Sequence, residues 1–270
     1  GATRNRGMEI MLTTHNVKTK NFNWHTSLSL SFNKAIIKEL ANTKQWFINS
    51  KTNRNDSVSY FDYVYEVGLE TGTYYGFIYD GLYQADEFNF DNGIWTLKDG
   101  VVDCEIYPTG PQPGYAKYRN LNPDEDNVVT SRDRTYIGKA NPVCNGGLTN
   151  TFTYKNFKMS LFCIFKLGGK IYNGNIYNYL YPGNGYSSSK YVYQNMYTFL
   201  DNDGTRLIDT GNTERLMELN RGKIYPRVGG IPFSTLLLEN ASFFRFANVN
   251  ISYSVPRKWL QTVKLKEAII

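Results

Sequence analysis

Hydrophobic and polar residues alternate one by one along residues 22–32, which predicts a β-strand with one apolar and one polar face. The apolar face carries Phe22, Trp24, Thr26, Leu28, Leu30 and Phe32, and the polar face carries Asn23, His25, Ser27, Ser29 and Ser31. A tilted strand needs about 9–11 residues to cross a bilayer, and membrane strands place aromatic residues at both ends of the apolar row. A half-buried strand of a soluble sandwich alternates too. This segment alone is therefore compatible with either structure.

Three other segments show the same alternation and predict further strands. Residues 7–17 precede a short polar turn at 18–21, residues 147–168 form a hairpin around Lys155 and Asn156, and residues 243–255 end at Pro256. The 22 tyrosines and 16 phenylalanines favour strands over helices. Helical periodicity is weak, and only residues 34–40 predict a turn or two of helix.

Connections between these strands differ in length. The turns at 18–21 and 155–156 are short, whereas the segments at about 33–60, 80–145, 168–195 and 200–240 are long and rich in Asn, Gly, Asp and Tyr. Loops longer than about 12–15 residues are uncommon in compact domains and are usually functional. Short turns alternating with long loops are typical of outer-membrane barrels. The pattern therefore predicts an all-β fold, an antiparallel transmembrane β-barrel with long extracellular loops.

Charge and cysteine content argue against several other classes of protein. The formal net charge is +6, but Lys and Arg are scattered rather than clustered, so we expect no nucleic-acid binding. The sequence has no run of 18 apolar residues that would predict a membrane helix. Cys104, Cys144 and Cys163 are odd in number and lack zinc spacing, which predicts free thiols. The first residues lack the pattern of a signal peptide, so we expect a mature protein or an internal piece of a longer one.

One polar segment has the spacing of a calcium loop. With Asn122 at position 1, oxygen side chains follow at positions 3, 5 and 12, and position 7 offers a carbonyl, as in an EF-hand. The candidate ligands are Asn122, Asp124, Asp126, the carbonyl of Val128, and Asp133. Asn127 replaces the usual glycine, and no flanking helices are evident. We expect either a structural Ca²⁺ ion that orders the loop or a solvated acidic turn.

The candidate chemistry does not predict an enzyme. The two histidines, His15 and His25, are too few and too poorly placed to support a Ser-His-Asp arrangement. Asp86 and Glu87 have the residue types of a glycosidase acid and base, but no pattern sets their separation. Eight tyrosines at 172–197 suit sugar stacking, interfacial anchoring or loop packing, so the substrate-binding residues stay unassigned.

Several motifs resemble the SusC/RagA family of TonB-linked outer-membrane transporters. The matching segments occur in the family's order, at residues 4–10 with the turn that follows, 75–84, 138–157 and 241–256. The calcium-like loop resembles the family's Asp-x-Asn-x-Asp-Gly loop, which ends in Asp-Arg as at Asp133 and Arg134. The resemblance extends from about residue 3 to residue 258, nearly the whole chain.

The resemblance implies a 22-stranded barrel with an N-terminal plug in the bacterial outer membrane. Such a transporter is driven by TonB and imports oligosaccharides or peptides together with a SusD-like surface lipoprotein. Residues 1–270 are then expected to be a C-terminal portion of the barrel in outer-membrane lipid, without the plug and the final strands. At roughly 25 residues per strand and loop, judged from strands of about 9–11 residues, we expect on the order of ten strands. These are too few to close the barrel alone.

A soluble or surface-exposed β-rich module that binds glycans is the alternative hypothesis. The two hypotheses place the same residues differently. In a transporter, the apolar row of residues 22–32 faces lipid and the polar row faces a lumen. In a soluble module, Trp24 and Leu28 are buried in a core.

Overall fold

The computed structural model describes residues 1–48, 62–123, 127–180, 188–227, 231–262 and 264–270. Its largest sheet contains five antiparallel strands that lie side by side in chain order. These strands are β1 (Ala2–Lys18), β2 (Phe22–Glu39), β3 (Cys144–Tyr154), β4 (Phe157–Leu167) and β5 (Phe243–Tyr253). The predicted strands are thus present, and most are longer than the alternation alone indicated.

Both predicted hairpins are confirmed. In the β1–β2 hairpin the turn is closed by Thr19, whose backbone N–H donates to the carbonyl of Phe22 at 2.8 Å. In the β3–β4 hairpin the residues pair one to one until Tyr154 faces Phe157. Lys155 adopts a φ of 51°, the left-handed conformation that a two-residue hairpin turn requires. The short turns therefore lie at one end of the sheet, which we call the short-turn end.

The predicted helical turn at residues 34–40 is wrong, because β2 continues as a strand to Glu39. On one side, this part of β2 pairs with β1, where Lys34 lies opposite Arg6. On the other side, the N–H of Ile37 donates to the carbonyl of Leu69, and the N–H of Gly68 donates to the carbonyl of Ile37, both at 2.9 Å. Pairing on both edges outweighs a weak helical preference.

Two long connections join the five strands, in place of the four long loops that composition predicted. Residues 40–143 lie between β2 and β3, and residues 168–242 lie between β4 and β5. The expectation of about ten membrane-length strands is also wrong, since the described residues contain five. The reason is that each long connection folds into many short elements of its own. We call these two connections together the loop body.

The loop body is built from short strands and helices. Its strands are Gln45–Ile48, Tyr63–Glu66, Thr73–Gly76, Tyr79–Leu82, Phe88–Asp91, Ile94–Leu97, Asp103–Cys104, Ala116–Tyr118, Val128–Val129, Thr135–Lys139, Lys170–Tyr172 and Leu238–Asn240. Its helices are α1 (Gly174–Tyr179), α2 (Lys190–Gln194), α3 (Leu207–Thr210) and α4 (Thr213–Asn220), with 3₁₀ turns at Ala85–Glu87, Ser131–Asp133 and Thr235–Leu237. A last helix, α5 (Arg257–Thr262), follows β5. Among the described residues, no helix combines the length and the apolar character needed to cross a membrane.

The hydrophobic core lies in the loop body and draws on both connections. Phe77, Tyr83 and Tyr118 come from the first connection, Tyr197 and Leu216 come from the second, and all five are essentially buried. The backbone joins the connections as well. The N–H of Phe77 donates to the carbonyl of Phe233, and its carbonyl accepts from the N–H of Thr235, each at 3.0 Å. The two connections therefore form one packed unit.

The five-stranded sheet is open in the described part of the chain. β1 and β5 are its outer strands, and each pairs with one neighbouring long strand. A short bridge lies on the outer edge of β5, where Tyr253 and Ile270 exchange two backbone hydrogen bonds of 2.8 and 3.0 Å. The predicted all-β antiparallel class is confirmed. The described residues do not close into a barrel.

Candidate functional site

The apolar face of the sheet is exposed. Its members are Met8, Ile10 and Leu12 of β1, the apolar row of β2, Leu148, Phe152 and Tyr154 of β3, Phe157, Met159, Leu161 and Phe165 of β4, and Phe244, Phe246, Val249 and Ile251 of β5. Leu12 is 53% exposed and Ile251 is 67% exposed. Exposed apolar patches of this extent mark a surface that contacts another apolar phase or partner.

The structure places Trp24 and Leu28 on this exposed face. Both side chains are only half-buried, and neither belongs to the hydrophobic core of the loop body. A soluble module was expected to bury both residues in a core. Their position therefore argues against that hypothesis, whereas lipid is a natural covering for a continuous apolar sheet face.

Aromatic side chains border the apolar face at both ends. At the short-turn end, Trp24 stacks on Phe152 with ring centroids 5.6 Å apart. At the opposite end, which we call the loop end, Phe165 stacks on Phe244 with centroids 6.4 Å apart. Along β2, Trp24 and Phe32 are separated by roughly 26 Å at about 3.3 Å per residue. At the strand tilt of about 40° found in membrane barrels, the whole apolar row from Phe22 to Phe32, roughly 33 Å along the strand, spans about 25 Å along the membrane normal, which matches the apolar band between the aromatic girdles.

A β-bulge at Ala247 places apolar residues from both halves of β5 on the apolar face of the sheet. Phe162 of β4 pairs with Asn248, and Cys163 pairs with Phe246, so Ala247 is the extra residue. Uninterrupted alternation along residues 243–255 would place Ala247 on the same face as Val249 and Phe246 on the other face. The bulge reverses this order for the part of β5 before it, so that Phe246 joins the apolar face. Sequence reasoning missed this, because a bulge is visible only in the pairing.

The opposite face of the sheet is mainly small and polar. It carries the serines of β2 together with Thr149, Thr151 and Thr153 of β3, and Ser160 of β4. His15 and His25 face each other across the β1–β2 pair, with ring centroids 6.0 Å apart. Met11, Phe162, Ile164 and Phe243 are among the larger apolar residues on this face. The face is thus polar but not uniformly so.

Asn150 is a polar residue on the apolar face, and its side-chain oxygen is fully used. Asn150 Oδ1 accepts hydrogen bonds from Trp24 Nε1 at 3.0 Å and from Thr26 Oγ1 at 2.7 Å. The Thr26 hydroxyl also accepts from Asn16 Nδ2 at 2.6 Å. An unpaired polar group is costly away from water, so this network lets Asn150 lie among apolar neighbours.

Gly146 makes room for the aromatic ring of Phe165 on the neighbouring strand. A Cβ atom added at Gly146 lies 2.2 Å from the ring, which is too close for any side chain without moving it. The glycine and the phenylalanine are directly opposite each other in the β3–β4 register. The ring thus packs against bare backbone near the loop end of the apolar face.

The candidate calcium ligands are only partly within the described residues. Asp124 and Asp126 lie outside them. Asn122 is exposed, and Val128 belongs to a two-residue strand that pairs in parallel with Asp103–Cys104. Asp133 is buried, and its two carboxylate oxygens accept from the N–H groups of Leu121 at 2.9 Å and Thr130 at 2.8 Å. Asp133 therefore joins both ends of the segment, a role that needs no metal.

Other candidate residues have structural roles. Glu87 forms an ion pair with Lys117 at 2.6 Å and accepts from the N–H of Gln84 at 2.8 Å, so its carboxylate is held in place rather than facing Asp86 across a cleft. The three cysteines are free, as predicted, and all three are buried. Burial raises the pKa of the Cys104 thiol, which lowers its reactivity.

Most of the described tyrosines in residues 172–197 serve in packing. Tyr177 and Tyr197 are buried in the core of the loop body. Tyr191 and Tyr193 of α2 are instead 62% and 67% exposed. These two rings are available for contact with a partner or a substrate.

Glu70 connects the loop body to the loop end of β2. Its side chain is 9% exposed and forms ion pairs with Lys34 at 3.2 Å and Lys139 at 2.8 Å. Burial by itself raises the pKa of Glu70, but the two ammonium groups outweigh this effect and hold the pKa below its ordinary value. The sequence offers no signal for this contact, since the three residues are far apart along the chain.

Comparison with known proteins gives relatives at both the sequence and the structure level. No protein-family model matches the chain. TonB-dependent receptor P3 of Formosa agariphila is 27% identical over 98% of this chain and 23% of its own length. TonB-dependent receptor P26 of the same organism is 25% identical over 95% of this chain and 22% of its own length. The chain therefore spans about a quarter of the length of these relatives.

Solved structures show a similar fold. The RagAB peptide transporter aligns over 99% of this chain and 24% of its own, with a TM-score of 0.59 and 18% identity. The RagAB peptide importer in its closed-closed state aligns over 96% of this chain and 24% of its own, with a TM-score of 0.58 and 18% identity. At this level of identity the likeness concerns the fold.

Proposed function

We propose, from the similarity of this chain to TonB-dependent receptors and to the RagAB peptide transporter, that it forms a wall segment and outer loops of an outer-membrane importer of the SusC/RagA type. The complete barrel has 22 strands, the number that large outer-membrane transporters use. The five long strands contribute part of this wall. The loop body lies outside the cell, and the short turns face the periplasm.

The exposed apolar face between two aromatic rows is the observation that carries this proposal. Lipid covers this face in the membrane, and the polar face with its serines and threonines lines the interior of the barrel. The open edges of the sheet add a requirement to this proposal. Unpaired strand edges cannot persist in lipid, so β1 and β5 need further strands of the complete protein.

Detergent extraction of the full-length gene product tests the proposed location. We expect it to stay with the membranes after washing with high salt and to be released only by detergent. The alternative, a soluble or surface-exposed glycan-binding module, predicts recovery in the soluble fraction without detergent. Recovery of the protein in the soluble fraction would contradict the proposal.

The proposed partners of the complete receptor are TonB, which supplies the energy for import, and a SusD-like surface lipoprotein. The similarity to the RagAB peptide importer supports an importer and makes peptides a candidate substrate, beside the oligosaccharides that the sequence resemblance to the SusC/RagA family implies. The exposed rings of Tyr191 and Tyr193 offer a contact surface on the loop body. Deletion of the gene is expected to abolish uptake of one of these two substrate classes and to leave the other unchanged. Unchanged uptake of both classes contradicts the proposal.

A structural Ca²⁺ ion in residues 122–133 remains part of the proposal. The spacing of Asn122, Asp124, Asp126, Val128 and Asp133 supports it. With Ca²⁺ we expect this segment of the full-length receptor to resist protease, and chelation or Asp126→Ala should remove the protection. Equal cleavage of both proteins with and without Ca²⁺ would leave Asp133 as a purely structural residue.

A further inference from the structure

Basic side chains lie directly beyond the apolar face at its loop end. On β1, Arg4 and Arg6 share the face of Met8, Ile10 and Leu12, because strand side chains alternate. Lys34 lies opposite Arg6 on β2, two residue pairs beyond Met8 and Phe32 and on the same face. The change from apolar to basic side chains therefore takes place over about 7 Å of strand.

A cavity of about 370 Å³ lies at this boundary. Arg6, Lys34, Lys139 and Glu70 line its polar part, and Met8 and Phe32 belong to its apolar part. Glu70 is already paired with both lysines. Arg6 is exposed and makes no ion pair or side-chain hydrogen bond within the described part of the chain. The cavity thus has three cations for one carboxylate, and Arg6 is free to bind an anion.

We propose that Arg6, Lys34 and Lys139, with Arg4 beside them, bind the phosphate group of a membrane lipid whose acyl chains lie against Met8 and Phe32. The inference rests on the proposed insertion of the sheet into the outer membrane. Arginine and lysine form strong charge-assisted hydrogen bonds with phosphate oxygens. Basic pockets at the membrane surface bind anionic headgroups for the same reason.

The position of the cavity favours a lipid over a free ion or a protein segment. An anion alone leaves Met8, which is 56% exposed, without a covering group. An acidic peptide approaches from water, whereas Met8 and Phe32 in the lining of this cavity lie on the face of the sheet that carries the apolar row. A molecule with an anionic head and an apolar tail satisfies both halves of the cavity at once.

Native mass spectrometry of the full-length receptor tests this inference. The purified receptor is exposed to dioleoyl phosphatidic acid or to dioleoylglycerol, which has the same chains without the phosphate. The variant R4E/R6E is compared with K18E/K20E, which makes the same charge change at the short-turn end of the same hairpin. Arg6→Gln is a milder variant of an exposed residue, for use if R4E/R6E fails to fold.

We expect the wild type and K18E/K20E to retain phosphatidic acid over dioleoylglycerol, and R4E/R6E to lose this retention by roughly 10- to 30-fold. Equal retention of the two lipids, unchanged retention by R4E/R6E and R6Q, or full displacement of lipid by excess inorganic phosphate would overturn the inference. Flotation with vesicles separates the two failures. A receptor that floats without any headgroup preference contradicts only this inference, whereas one that never floats contradicts the proposed function as well.

Discussion

The sheet and the loop body treat apolar side chains in opposite ways. In the sheet, Leu12 and Ile251 are more than half exposed on a continuous apolar face. In the loop body, Phe77 and Tyr197 are completely buried among other aromatic residues. The difference shows that the two regions of this chain are suited to two different surroundings. The loop body stabilises itself by its own core, and the sheet depends on a covering that the described residues do not supply.

The two regions also differ in how they use polar groups. The polar face of the sheet is made of short hydroxyl side chains, and the network around Asn150 is the exception on its apolar face. In the loop body, single buried polar residues link distant segments. Asn220, for example, donates to the carbonyl of Thr198 at 2.9 Å and accepts from its N–H at 2.6 Å. Regular pairing holds the sheet together, and individual contacts hold the loop body together.

Phe77→Ala is expected to have the largest effect, and only on the loop body. Loss of a buried phenylalanine costs about 3–5 kcal/mol. Hydrogen exchange of the full-length receptor should show faster exchange in residues 62–140 and 188–240, with the five long strands unchanged. Tyr193→Ala is the matched control, because that ring is 67% exposed. If Phe77→Ala raised the exchange rate in the five long strands as much as in the loop body, the two regions would unfold together, against this expectation.

Leu28→Lys tests the covering of the sheet by lipid. A lysine near the middle of a lipid-facing strand costs about 2–4 kcal/mol. Urea unfolding of the receptor in lipid vesicles should therefore shift to lower urea for Leu28→Lys. Its neighbour Ser29 points to the polar face, so Ser29→Lys should change the midpoint little. Similar shifts for both variants would contradict the assignment of the faces.

Glu70→Gln is expected to have the smallest effect, at the junction between the two regions. The substitution removes both ion pairs with lysine. Because the lysines are partly exposed, we expect the free energy of unfolding to fall by only about 1–2 kcal/mol. Limited proteolysis should then increase near residues 67–72. The control Asp80→Asn changes the exposed pair of Asp80 with Arg119 and should have no measurable effect.

The junction should also depend on pH in a defined direction. The pKa of Glu70 is lowered in the folded protein, so its stabilisation is complete above the ordinary glutamate pKa of about 4.3. It is lost as the pH falls through the lowered value, and the wild type should then approach the protease sensitivity of Glu70→Gln. A difference between the two proteins that persists unchanged well below that pH would rule out the role of the carboxylate.

Much of the sheet was predictable, because alternation and turn residues are local signals. The strands around Leu28 and Thr151 and the turn at Lys155 follow from the residues themselves. The loop body was not predictable in this way. Strands of two to five residues, such as Asp103–Cys104, carry too little periodicity to be seen. The calcium ligands stay a prediction, and only the loop-closing role of Asp133 is added to it.

By itself, the sequence determined that this chain forms antiparallel strands with one apolar and one polar face, since apolar and polar residues alternate along the chain with a period of two. Only the tertiary structure decided how those faces line up between strands. The bulge at Ala247, the pairing of Arg6 with Lys34 and the ion pairs of Glu70 all depend on which residues lie opposite each other. Register arises from the summed pairing of whole strands and the packing of the loop body, so no local pattern contains it.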